Sequence, residues 1–163
     1  MKYLLLFITL NLCFSAALFA QTPAQTVPSF HFIKLDQSPF TNENLAQKQM
    51  LFFFFFDPDC DHCQRAATNI NQQWKEYKNT AVYLISVADK AKINAFINQY
   101  LPAFSTKQNA TVLQDSNNEF IPKFQPIRYP GMFLYNQNKK LIDYEDNAES
   151  VFRFLKSLHT SVK

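Results

Sequence analysis

The segment Met50-Leu51-Phe52-Phe53-Phe54-Phe55-Phe56 constrains the fold of this chain more than any other. It is far shorter than the about 20 apolar residues that a membrane-spanning helix takes. Asp57-Pro58 directly follows it, and the proline bars a helix from running on. An apolar run this short, with no polar alternation, fits a strand covered on both faces, as in a parallel sheet flanked by helices. An α/β layer architecture follows. The 18 Phe and 7 Tyr among 163 residues supply a bulky aromatic core for it. A chain of that length buries such a core as one domain without disulfide staples. The single glycine, Gly131, excludes a Gly-rich phosphate loop, and a net charge of +3 is too mild to argue for nucleic acid.

The first twenty residues read as a secretory signal peptide. Met1-Lys2 is a minimal basic start, Tyr3 to Leu12 is apolar apart from Thr9 and Asn11, and small residues gather at Ser15, Ala16, Ala17 and Ala20. Cleavage after Ala17 or after Ala20 suits this pattern. Left uncleaved, the segment would act as a membrane tether, although Thr9, Asn11 and Ser15 make it a short and impure span. Leu10-Asn11-Leu12-Cys13 puts a large residue where a bacterial lipobox wants a small one, which argues against a lipid on Cys13. The expectation is export to a periplasmic compartment, where disulfides persist. Residues 21–28, QTPAQTVP, read as a flexible lead-in, and residues 29–163 as the folded domain.

Along that domain a strand is expected at Phe30 to Leu35, then a polar stretch over 37–49 with a helical turn near Asn42 to Leu45, then the phenylalanine strand. Cys63, Ala67, Ile70, Trp74 and Tyr77 recur at helical spacing, so a helix runs from Cys60 to Lys78 with Asp59 as its N-cap. Ala81–Val87 is a second buried strand. Asp89 caps a helix that buries Ile93, Phe96 and Ile97 and closes at Pro102. A short strand at Thr111–Leu113 precedes Ser116-Asn117-Asn118-Glu119, a capping-box pattern opening a short helix. Met132–Tyr135 and Lys140–Tyr144 flank a hairpin turn, and a helix from Asn147 buries Val151, Phe154, Leu155 and Leu158.

Removing the signal removes Cys13 and leaves two cysteines, Cys60 and Cys63, spaced C-x-x-C where the buried strand becomes a helix. Two residues between cysteines in a first helical turn bring the sulfurs close enough for a disulfide, with the first facing outward. Unpaired N–H groups and the positive end of the helix stabilise a thiolate there. An exposed thiolate attacks a substrate disulfide, and the second cysteine resolves the mixed disulfide. Cys60 is the expected nucleophile and Cys63 the resolving cysteine.

With these residues in place the chain resembles the thioredoxin superfamily, and more narrowly the exported TlpA/ResA-like thiol-disulfide oxidoreductases, over residues 29–160. The likeness rests on the strand LFFFFF, the motif CDHC with its long helix, a βα unit before the last hairpin, and Tyr129-Pro130 in RYPGMFLY. It implies a thioredoxin-like α/β fold: a central mixed β-sheet with helices on both faces and an extra βα insertion before the final hairpin. It implies a cis bond at Tyr129-Pro130 facing the cysteines, with the Tyr129 backbone pairing with bound substrate. Gly131 would then allow close backbone approach. The expected partners are cysteine-containing exported proteins and a protein that donates or accepts electrons, with no cofactor and a monomeric chain. Three features depart from the family. Asp59 replaces the usual Trp before the first cysteine. No acid lies on the strand leading into the motif, so a buried proton-transfer acid is either absent or supplied by Asp57, Asp59 or Glu119. Tyr129 is larger than the common Thr or Val, which narrows the groove.

Two sets of charges compete at Cys60. Asp57, Asp59 and Asp61 oppose a thiolate, whereas His62 favours one by hydrogen bonding, as the equivalent His does in oxidising members such as DsbA. Arg65 is a surface charge that partly offsets the aspartates. Export and the TlpA/ResA likeness lean towards a reductase. Four rival readings stand beside it. A structural disulfide is the blandest. Metal binding by Cys60, Cys63 and His62 would suit copper or zinc, but a structural zinc site normally takes four ligands. Thioredoxin-like copper chaperones also space their cysteines by three residues. A peroxidase of the related peroxiredoxin type has Thr or Ser where Asp57 stands. A redox-silent peptide-binding module would need neither thiol.

Overall fold

In the computed structural model, which describes residues 22–104, 106–152 and 156–157, the phenylalanine run forms strand β3 (Met50–Phe55), inside a seven-stranded sheet. Successive side chains of a strand point to opposite faces, and the run divides accordingly. Phe52, Phe54 and Phe56 enter one core, and Leu51, Phe53 and Phe55 enter a second on the other side. All five phenylalanines are fully buried. The absence of polar alternation is therefore the mark of two packed faces.

The other strands are β1 (His31–Lys34), β2 (Pro39–Thr41), β4 (Thr80–Ser86), β5 (Ala110–Gln114), β6 (Gly131–Tyr135) and β7 (Leu141–Glu145). They lie in the order β2-β1-β5-β4-β3-β6-β7. β3, β4 and β5 run parallel, while β6, β7, β1 and β2 pair antiparallel to their neighbours. Helices α1 (Asp61–Gln72) and α2 (Lys90–Tyr100) make the two crossovers and bury Ala66, Ala67, Ile70, Ile93, Phe96 and Ile97 in the first core. The short helix α3 (Phe120–Phe124) lies on the opposite face, where the Phe120 and Phe124 rings stack at 4.1 Å and Phe55 stacks on Phe120 at 4.2 Å. This is the thioredoxin-like α/β fold that the resemblance implies, with β5 and α3 as the inserted unit before the β6–β7 hairpin.

Several expectations are corrected. The lead-in expected to be flexible is tied down over its described residues. Thr26 bridges Lys140, Val27 N–H donates to the Lys139 carbonyl, Leu141 N–H to that of Gln25, and Ala24 N–H to that of Phe124. Its free backbone groups find partners along the last hairpin and α3, which a count of polar residues does not reveal. Helix α1 starts one residue later than expected and stops at Gln72, and a 3-10 turn at Trp74–Tyr77 then carries Tyr77 into the core. Asp59 is not its cap. The cap of α3 is not the expected Ser116 box either, because the buried Asp115 takes the N–H groups of Glu119 and Phe120 at 2.9 and 2.8 Å. Strand β2, begun by Pro39, sits at the sheet edge where a proline costs no ladder bond.

At the C-terminal end Asn147 caps a 3-10 turn (Ala148–Ser150) by accepting the Glu149 N–H, and Val151 is buried. Phe154, Leu155 and Leu158 lie outside the described residues, as do the signal segment 1–20 and Cys13. Among the described residues no helix is long and apolar enough to cross a membrane.

Candidate active site

The motif is positioned by the end of β3. Phe56 N–H donates to the Ile85 carbonyl at 3.0 Å, the last ladder bond towards β4. Beyond it Asp57 organises a tight bend: its carbonyl accepts Cys60 N–H at 3.1 Å and its carboxylate accepts Asp59 N–H at 2.9 Å. Gln64 reaches back from α1 to the Pro58 carbonyl at 3.0 Å. The bend delays the helix, so Cys60, not Asp59, occupies the N-cap position, without any side-chain capping bond. Its side chain thus stands where a capping Ser or Asp would, beside the unpaired N–H groups and the positive pole of α1.

The two thiols differ in exposure. Cys60 is partly exposed, Cys63 is fully buried one helical turn on, and both are free. They lie within hydrogen-bonding reach of each other. Burial pushes the Cys63 thiol far up, and the Asp57 backbone N–H, 3.4 Å from its sulfur, acts in the opposite direction. An accessible sulfur over a shielded one can attack outward and then be attacked from within.

Gly131, first residue of β6, pairs with Phe55, last of β3, so the sheet register brings Tyr129-Pro130 alongside the motif. The Tyr129–Pro130 bond is cis and Pro130 is buried. The Tyr129 ring stacks on Phe55 at 4.9 Å. Its phenol is pushed up to about 12, first by burial and then by the nearby Asp57, Cys63, Asp115 and Cys60. The strand register and the Phe55–Tyr129 stack set Tyr129 beside the end of the strand that leads into the motif. The loop before it is held by Arg128 to Asp146 at 3.0 Å and by Ile127 N–H to the Tyr144 hydroxyl at 2.8 Å. A Cβ on Gly131 would meet Pro126 at 3.1 Å and Phe133 at 3.2 Å, so the close approach it permits is to the loop and its own strand.

The fold has clear relatives. Residues 23–144 match the model of the AhpC/TSA family. The chain belongs to the AhpC/TSA family. No curated protein matches it in sequence. Among solved structures it is similar to a secreted Mycobacterium tuberculosis disulfide oxidoreductase homologous to E. coli DsbE, at 20% identity and a TM-score of 0.66 over 80% of this chain and 95% of that one. It is similar to the peroxidoxin BcpB from Mycobacterium tuberculosis at 16% identity and a TM-score of 0.70, over 88% and 99%. It is also similar to yeast Sco1 at 12% identity and a TM-score of 0.65, over 85% and 97%. At these identities the likeness is one of fold.

In this member of the AhpC/TSA family, two of the groups expected to act on Cys60 from beside it, Asp59 and His62, have side-chain partners of their own. Asp59 pairs with Lys92 of α2 at 2.6 Å and holds the ammonium above the usual lysine range. The exposed His62 receives Arg65 at its Nδ1 at 2.8 Å. Glu119, weighed as a replacement acid, is engaged by Lys123 at 2.6 Å, which holds its carboxyl low. Sequence reasoning missed Lys92 and Asp115. Lys92 carried no local signal, and Asp115 carried one only as a capping residue, at the head of the run Asp-Ser-Asn-Asn that follows β5. Among the described residues no three His, Cys, Asp or Glu side chains converge to hold a metal ion.

Proposed function

We propose that this protein is an exported thiol-disulfide oxidoreductase that reduces disulfides of extracytoplasmic proteins through Cys60 and Cys63. The observation that carries the reading is the pairing of a partly exposed Cys60 at a helix N-cap with a buried Cys63 within reach of it. The Cys60 thiolate attacks one sulfur of a substrate disulfide, forming a mixed disulfide and releasing the other sulfur as a thiolate. Cys63 then gives up its proton and attacks the Cys60 sulfur. The mixed bond breaks, the substrate leaves fully reduced, and the two electrons come from the Cys60–Cys63 pair, now a disulfide. A partner protein returns them. The Tyr129 backbone, brought beside the motif by the pairing of Gly131 with Phe55, offers an extended substrate segment a main-chain partner.

Export rests on the signal pattern of residues 1–20 and the reductase direction on the TlpA/ResA likeness. The secreted disulfide oxidoreductase among the fold relatives is in keeping with export and with disulfide exchange. The test is a Cys63→Ser variant expressed with its leader. It should accumulate mixed disulfides on Cys60 with exported cysteine proteins, and reduction should release them. Failure to trap any such protein contradicts the reading.

A peroxidase has the family and the peroxidoxin relative in its favour. Against it stands Asp57, a carboxylate where peroxiredoxins carry Thr or Ser and where a hydroperoxide would have to approach. Peroxide consumption by the reduced protein, measured beside disulfide reduction, separates the two.

A further inference from the structure

Arg65 lies one turn after His62 on α1, and its Nη2 is 2.8 Å from His62 Nδ1. A guanidinium has only donors and stays charged throughout the working range of a protein. Nδ1 must therefore accept, which leaves the ring proton on Nε2 and the imidazole neutral. An imidazolium would set N–H against N–H and break the contact. Arg65 is itself steered by Glu149, 3.7 Å from its Nε, on the turn that packs against α1. Asn69 fastens that turn by donating to the Ala148 carbonyl at 3.1 Å.

We propose that Arg65 is a positioning residue that fixes the tautomer of His62 and withholds its positive charge from Cys60, setting the motif towards the reducing side. This rests on the thiol-disulfide reading above and names what regulates it. An imidazolium two residues from Cys60 would stabilise the thiolate, favour the dithiol and make the disulfide more oxidising. With Nδ1 claimed, that contribution is absent. The charged groups around His62 are Arg65 and Asp61 on its own helix, Glu149 on the packed turn, and Asp57, Asp59 and the Cys60 thiol on the bend. Asp59 is already paired with Lys92. The guanidinium sits further along the helix and is partly balanced by Glu149, so the side chain that alters the sign at Cys60 is His62.

The experiment compares wild type with Arg65→Met, Arg65→Lys and Arg65→Met/His62→Gln in glutathione redox buffers at several pH values. Without Arg65, Nδ1 of His62 is open to a second ring proton. The Arg65→Met disulfide should become about two- to fivefold easier to reduce than wild type in mildly acid buffer, the scale of an exposed charge contact. The gap should close towards alkaline pH. Lysine, also a donor cation, should restore wild-type behaviour, and the double variant should show no such gap. Nitrogen-15 spectra of wild type should show His62 protonated at Nε2 and bare at Nδ1, and Arg65→Met should lose that preference. A gap that ignores pH, a gap that persists without His62, or a wild-type ring protonated at Nδ1 would each overturn the proposal. Loss of mixed-disulfide trapping would instead sink the functional reading and leave the tautomer result standing.

Discussion

The ring of Phe55 stacks on that of Tyr129 at 4.9 Å and on Phe120 at 4.2 Å, so the last residue of the strand that leads to the cysteines also backs the cis Tyr129–Pro130 bond. Phe55→Ala should cost about 3–5 kcal/mol, the range for a buried phenylalanine. It should also slow disulfide exchange by loosening Tyr129. Phe55→Leu should lose less stability and keep most of the rate. Denaturant midpoints together with a disulfide-reduction assay check both.

Lys92 meets Asp59 at 2.6 Å on the exposed side of the motif. Lys92→Met leaves that carboxylate unbalanced next to Cys60, and the thiolate is disfavoured. The disulfide should become harder to reduce at low ionic strength, with the change shrinking in high salt as the charges are screened. Reduction potentials at two salt concentrations measure it.

Alkaline pH should destabilise the fold through its tyrosines. An unfolded phenol ionises near about 10, whereas burial holds Tyr129 and Tyr144 up to about 12 in the folded chain. The folded value is the higher one, so this stability is whole below pH about 10 and is lost as the pH rises through about 12. Urea midpoints should be level from neutral buffer up to pH about 10 and fall above it. Tyr129→Phe, which has no phenol to ionise, should make the fall shallower.

The hydroxyl of Tyr77 is buried and, among the described residues, has no hydrogen-bond partner. Its ring packs on Phe52 at 5.1 Å and edge-on to Phe104 at 5.7 Å. Tyr77→Phe keeps these contacts and removes the stranded group, which should stabilise the protein by about 1 kcal/mol. Thermal and urea denaturation read the change.

Gly131→Ala brings a methyl to 3.1 Å from the Pro126 ring and 3.2 Å from Phe133. A stiffer unfolded chain favours the alanine by about 0.4–1 kcal/mol, while overpacking costs about 1–3 kcal/mol. Overpacking should prevail, and the denaturation midpoint should fall.

Where burial dictated residue type, the sequence was easy to read. The phenylalanine run disclosed a doubly covered strand, and the helical spacing after it disclosed α1. Cys60, Cys63 and the Tyr129-Pro130 pair could be placed because the strand-to-helix junction and the following strand start are punctuated by prolines. What stayed hidden depended on pairings across the chain. Asp59 reads as a cap until the carboxylate of Asp57 is seen to take its N–H and delay the helix by a residue. Asp115 shows no signal of burial without the Glu119 and Phe120 amides that it satisfies. The docking of residues 22–28 and the claim of Lys92 on Asp59 join segments far apart in sequence, and no local spacing announces them.

Disulfide exchange by this chain requires that Cys60 and Cys63 form one reversible dithiol–disulfide couple. Equilibrating the full chain across a series of glutathione redox buffers, quenching with a thiol-blocking reagent and weighing the products tests it most directly. A single two-electron transition is expected, in which Cys60 and Cys63 lose their thiols together, abolished by serine at either position. Thiols that oxidise independently, or a Cys60 that forms only lasting adducts with glutathione, would contradict it.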